Sequence, residues 1–211
     1  VLTAALYLPF IGNEMVFDDQ NISANMLSYA DNMFDSRART FPYFTLAFIQ
    51  VIFGSIQAHR IVSLLIHAAN AMLLYSICYE LLSRTIKQPE SDIRILALVA
   101  ALVFAAHPAA VYGAAYLAQR TVLFALLFSL LSIRYFTRWL EDDAKQNLFL
   151  AAVFSALAVF SKEHAILLPA AVAAIGPIYR LGNRKMVSKI VPYLALTLPV
   201  SVYIVLQADI N

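Results

Sequence analysis

The sequence predicts an all-α membrane protein: a polytopic transmembrane helix bundle with an interfacial helix in its first external loop. Three observations lead there. Of 211 residues, 62% are hydrophobic and 13% charged, with a mean hydropathy of +0.74, whereas a soluble domain carries about 25% charge. The apolar residues fall into successive segments of helical length. The basic residues collect on one set of loops.

Residues 1–211 read as one transmembrane domain. Val1–Ile11 is too short to span, since a crossing helix needs about 20 apolar residues. It is expected to be the outer end of a helix that begins upstream. The loop 12–59 follows. Transmembrane helices are then expected at 60–82, 95–118, 121–140, 147–161, 165–179 and 190–207. No internal repeat is visible.

The apolar stretch 41–53 would be roughly 20 Å long as a helix, too short to cross. Charge decides its place. If it lies flat in the interface, one side holds Arg84, Lys87, Arg94, Arg134, Arg138, Lys145, Arg180, Arg184, Lys185 and Lys189. The other side holds Arg37, Arg39, Arg60, Arg120 and Lys162. Ten against five is the bias of a cytoplasmic face. If 41–53 crossed, the ten would face outward. It is therefore predicted to be interfacial, which makes loop 12–59 and the turns at 107–120 and 162–164 external.

Some chemistry is excluded. The single Cys78 cannot form an internal disulfide and reads as a small core residue. Zinc-type Cys/His spacing, a Walker loop, GxGxxG and GxSxG are absent. No nucleic-acid partner is expected.

Three polar clusters share the external side: Phe17-Asp18-Asp19-Gln20, His107-Pro108 with Gln119-Arg120, and Lys162-Glu163-His164. Charges at bilayer depth are costly and mark working sites. The helix before His107 and the one before Lys162 are short against a hydrocarbon core of about 30 Å. Their polar ends should sit below the outer surface, in a cavity or at headgroup depth.

Adjacent carboxylates cannot share a helix face, so one of Asp18 and Asp19 should point into a site and the other brace the loop. A carboxylate there can act as general base on an acceptor hydroxyl or ligate a divalent metal ion; a plain helix cap is the rival reading. Metal use is left open, with Asp18 the candidate ligand. His59, His67 and His107 can join it, although their spacing does not require this. Lys162 can hold a phosphate as a point charge. Arg120 can add a bidentate contact, unless it only snorkels. Glu163 can pair with Lys162 or orient His164. Arg37 and Arg39 can pair with Asp31 or Asp35.

The runs FDDQNIS, HRIVSLLIHAANAMLLY, FAAHPAAVYGAAYLAQRTVLFALLFSLLSIRYF and FSKEHAILLP, in this order, resemble the GT-C superfamily of polytopic glycosyltransferases. The likeness is nearest to the transmembrane and tetratricopeptide-repeat mannosyltransferase branch and its bacterial relatives. It covers Phe17 to Pro169. It implies a polyprenyl- or dolichyl-phosphate sugar donor, membrane lipids as surroundings, and a protein or glycan acceptor. It also implies a catalytic or metal-binding acid at Asp18 with Asp19 as neighbour, and substrate-binding roles for Lys162, Glu163, Arg120, His107 and His164. The segment 36–45 lacks the expected Arg-Pro-Leu. A bacterial inner membrane, with the site facing the periplasm, follows from the same likeness. Two rival functions remain: an ion- or proton-coupled transporter with Lys162, Glu163 and His107 as relay, and a non-catalytic GT-C-like assembly subunit.

Overall fold

A computed structural model describes residues 2–15, 18–30, 39–179 and 182–208. Among these, all regular structure is helical. The α-helices are α1 (Leu2–Tyr7), α2 (Asp18–Asn25), α3 (Thr40–Phe53), α4 (Ile56–Thr85), α5 (Glu90–Ala106), α6 (Pro108–Ala115), α7 (Arg120–Asp142), α8 (Lys145–Ser161), α9 (Leu168–Ala173) and α10 (Asn183–Ala208). Three helical stretches, Ile56–Thr85, Leu117–Asp142 and Asn183–Gln207, are long and apolar enough to cross a membrane. The chain is an integral membrane protein built as an all-α bundle.

The helices carry apolar side chains on their outer faces as well as in the core. Large apolar side chains point outward, among them Leu65 and Met72 on α4, Ile95, Val99 and Val103 on α5, and Val191, Val202 and Leu206 on α10. Inside, small or polar residues sit at helix contacts, Ala97, Ala101 and Ala105 on α5 and Ala151, Ser155 and Ala158 on α8, beside a core of Phe128, Phe136, Trp139, Leu140 and Tyr193. Small residues let helix backbones approach closely where lipid supplies no hydrophobic drive. The central helix α4 buries a polar stripe, His59, Ser63, His67 and Asn70, at spacings that share one helical face. A His67 ring nitrogen bonds the Ala105 carbonyl at 3.2 Å, and Asn70 donates to the Leu123 carbonyl at 3.1 Å. Each ties α4 to a neighbour.

Local signals set the ends. Gly54 closes α3 in the left-handed region (φ 59°), its N–H donating to the Gln50 carbonyl at 3.0 Å. Ser55 then caps α4 by accepting from Ala58 N–H at 3.3 Å. The stretch expected as one helix over 95–118 divides at His107-Pro108 into α5 and α6, because proline supplies no N–H to continue the ladder. The stretch expected over 165–179 is a series of short pieces: a 3-10 turn at Glu163–Leu167, then α9, then a 3-10 turn at Gly176–Tyr179. Pro169 and Gly176-Pro177 interrupt it.

Helices α7 and α8 form a hairpin joined at Asp143, and α10 packs on α8. Ser132 donates to the Ala151 carbonyl at 2.8 Å and meets the Tyr193 hydroxyl at 3.1 Å. Near that turn, ion pairs fasten the bundle: Glu80 with Arg134, Arg84 with Glu141, and Lys189 with Asp143.

Candidate active site

Helix α2 builds the first wall. Asp18, Asn21, Ile22 and Asn25 follow i, i+3, i+4, i+7 spacing, so they share a face. They line a polar cavity of about 380 Å³. Ile22, at the edge of this face, and Met26 just past the helix anchor it by packing with Leu46 and Leu117. Asp19 is 1% exposed, and its carboxylate accepts from Leu117 N–H (3.1 Å) and Ala118 N–H (3.0 Å). These amides open the turn into α7 and have no helical partner of their own. Burial pushes the Asp19 carboxyl above its usual range, against the two amide donors and the Arg60 guanidinium, which pull it down. The Asp18 N–H donates to the Tyr116 hydroxyl at 2.9 Å, a second tie between α2 and this turn.

The start of α3 gives the second wall, with Arg39 and Tyr43; Tyr43 stacks on Tyr29 at 4.9 Å between ring centres. Ala118, Gln119 and Thr121 form the third, and Lys162 the fourth. Lys162 stands where α8 ends and the backbone turns extended (φ −158°, ψ 130°). Its Nζ lies 3.6 Å from Glu163 Oε1. Glu163 meets Arg39 at two points, Nη2 to Oε1 at 2.6 Å and Nε to Oε2 at 3.3 Å. Burial raises the Glu163 carboxyl, but the Arg39 hydrogen bonds and the charges of Arg39 and Lys162 outweigh it and hold the pKa at about 2.

A second cavity, about 590 Å³ and mostly apolar, adjoins the first. Val122, Ala125, Leu126 and Ser129 of α7 line it, with His164 and Ala165. Gln119 and Lys162 belong to both cavities. A carboxylate and a lysine therefore face one polar space that opens beside an apolar groove along α7.

The structure gathers Asp18, Gln119 and Lys162, and sets Glu163 against Lys162. His164 is exposed and reaches the groove. Two further expected residues, Arg120 and His107, do not line the cavity. Arg120 is 0% exposed and turned away from the cavity, donating to the His59 carbonyl (2.6 Å) and Ser63 Oγ (3.3 Å). It is drawn inward because the polar stripe of α4 offers acceptors there. His107 caps α6, its Nδ1 accepting from Ala109 N–H at 3.1 Å, and does not line the cavity. Phe17, Asp31, Asp35 and Arg37 lie outside the described residues, while Arg39 pairs with Glu163. The cavity also holds Asn21, Asn25, Tyr29 and Tyr43, none expected from the sequence. The two asparagines carried a signal, their helical spacing from Asp18.

Among the described residues, the cavity does not supply a ligand set for the divalent metal considered for Asp18. Such an ion takes several hard oxygen ligands, but among the described residues this cavity sets one carboxylate against Arg39 and Lys162. Both Asp19 oxygens are engaged by amides. His59 and His67 lie inside the α4 stripe, bonded to Gln50 and Ala105. Among the described residues no three His, Cys, Asp or Glu side chains form a metal-binding group.

Residues 36–206 match the family described as dolichyl-phosphate-mannose-protein mannosyltransferase. The chain belongs to this family. No curated protein and no solved structure matches it. Membership makes the protein a membrane glycosyltransferase at the level of the family, of mannosyltransferase-like type. The matched region contains Arg39, Tyr43, Gln119 and Lys162 of the cavity; Asp18, Asn21 and Asn25 precede it.

Proposed function

We propose that this chain is a GT-C-type inverting glycosyltransferase that moves a sugar from a polyprenyl-phosphate donor to a protein hydroxyl or a cell-envelope glycan. The observation that carries the reading is the polar cavity where Asp18 faces Lys162 beside an apolar groove. Lipid-linked phosphate needs that combination: a cation for the phosphate, an apolar slot for the chain, and a base on the far side of the sugar.

Asp18 takes the proton of the acceptor hydroxyl. The acceptor oxygen attacks the anomeric carbon as the bond from that carbon to the phosphate oxygen breaks. The lipid phosphate leaves with the electron pair, and Lys162 stabilises its growing charge. Asn21, Asn25 and Gln119 offer amides to the sugar hydroxyls, and the stacked Tyr29–Tyr43 pair offers a flat face to the ring. The polyprenyl chain lies along Val122, Leu126 and Ser129, with His164 near the headgroup. Arg120 holds α7 to α4 behind the cavity wall.

Helix α3 is the interfacial element of this reading. It is roughly 21 Å long and exposes Phe48, Val51, Ile52 and Phe53. The site then faces outward from a bacterial inner membrane, toward the periplasm.

The test is donor binding and sugar transfer by the full-length protein, wild type against Lys162→Ala. Saturable binding of a polyprenyl phosphate that the variant loses supports the reading. Equal binding by both proteins sinks it.

A further inference from the structure

We propose that Arg39 is the second anion-binding group of this site, and that the phosphate of the lipid-linked donor takes it over from Glu163. The inference rests on the proposed lipid-phosphate chemistry and names the residue that completes it.

The backbone of Arg39 is the first observation. It sits in the left-handed region (φ 71°, ψ −2°) just before α3, a costly conformation for a residue with a side chain. It is held there from two sides: its N–H donates to the Phe160 carbonyl at 2.6 Å, and its carbonyl accepts from Tyr43 N–H at 3.1 Å. The fold thus fixes the origin of this side chain at the cavity wall, beside the end of α8 that carries Lys162.

The second observation is the charge arrangement. Glu163 Oε1 lies 2.6 Å from Arg39 Nη2 and 3.6 Å from Lys162 Nζ. Two cations share one carboxylate, and both line the cavity. The Arg39–Glu163 pair is about 40% exposed on each side, so solvent screens it and little holds it closed. A guanidinium presents donors in a planar fork that matches two phosphate oxygens as well as it matches a carboxylate. An arriving phosphate finds Lys162 as a point charge and Arg39 as a fork. Glu163 Oε1 also lies 3.9 Å from His164 Nδ1, a second neighbour for the carboxylate. Arg120 cannot take this place, because it is buried and committed to α4.

The experiment measures polyprenyl-phosphate binding to the full-length protein in nanodiscs, for wild type, Arg39→Ala, Arg39→Lys, Glu163→Gln and Lys162→Ala. Arg39→Ala should weaken binding about tenfold or more, the loss of a charge-assisted contact, and Arg39→Lys should restore part of it. Glu163→Gln should bind as tightly as wild type or tighter, although its thermal unfolding drops with that of Arg39→Ala. If the pair is only a latch, both variants lose binding together and the proposal falls. If Arg39→Ala does not fold, Glu163→Gln decides: equal or tighter binding supports the proposal and weaker binding overturns it. Loss in Lys162→Ala without loss in Arg39→Ala overturns the role of Arg39 and leaves the proposed function standing. No binding by the wild type ends both. Inorganic phosphate competing as well as the lipid removes the lipid from this site and also overturns the proposal.

Discussion

Asp18 and Asp19 are adjacent in sequence and do opposite things: Asp18 faces the polar cavity, while Asp19 is closed on the amides of Leu117 and Ala118. Successive residues on a helix point about 100° apart, so α2 cannot aim both carboxylates the same way. The turn into α7 consumes one of them, and the other is left to the cavity.

This division predicts two distinct losses. Asp18→Asn should lower sugar transfer by about 10²–10⁴-fold, the usual contribution of a general base, with thermal unfolding unchanged. Asp19→Ala leaves the buried Leu117 amide and the part-buried Ala118 amide without acceptors and should cost about 1–3 kcal/mol, read as a lower Tm. Unfolding curves and transfer rates on both variants check this. An active Asp18→Asn protein with a lowered Tm would reverse the roles.

Arg120 should behave as framework. Its guanidinium serves the His59 carbonyl and Ser63 Oγ in a fully buried setting. Arg120→Ala strands those groups and opens a cavity, a loss of about 2–4 kcal/mol. The fraction that still folds should bind donor with wild-type affinity. Denaturant unfolding in detergent, paired with lipid-phosphate binding, separates the cases. A variant that unfolds like wild type but binds no donor would return Arg120 to the site.

Much of this was legible in residue order, and the limits have physical causes. The long helices follow from apolar runs, and the break after Lys162 falls at charges, both local signals, whereas the break at His107-Pro108 lies inside the single helix expected over 95–118. The Asn21 and Asn25 face follows from helical spacing. Arg39 is different. Its partner Glu163 is 124 positions away, and its placement depends on a left-handed backbone that no local pattern announces. Arg120 misleads for a related reason. A basic residue near a helix end reads as snorkelling or phosphate-binding, and only the packing of α7 on the polar stripe of α4 shows that its acceptors lie inward.

The Glu163 pKa sets a pH window. Its ordinary value is 4.5 and the folded value about 2, so between these the unfolded chain binds more protons and stability rises with pH. The contribution is whole above about pH 4.5 and fades as pH falls toward 2. Both partners are partly exposed, which keeps it small. The Tm gap between wild type and Glu163→Gln should stay constant from pH 7 to pH 5 and narrow below 4.5. A gap that closes before pH 5 contradicts the lowered Glu163 pKa.

The groove along α7 makes a prediction about chain length. Val122 lines it and is itself exposed, so Val122→Trp can fill part of the slot without disturbing the core. Each methylene kept out of the groove forfeits about 0.8 kcal/mol. Losing contact with part of one isoprene unit would then weaken a long-chain polyprenyl phosphate by about 1–3 kcal/mol, or roughly 5–150-fold. A donor analogue whose chain ends before Val122 keeps its headgroup contacts and should bind both proteins alike. Titrating both lipids against wild type and variant gives four affinities. Loss confined to the long chain places the hydrocarbon along α7. Equal loss for both lipids means that the tryptophan acts on the Gln119–Lys162 boundary, and no loss for either removes the chain from this groove.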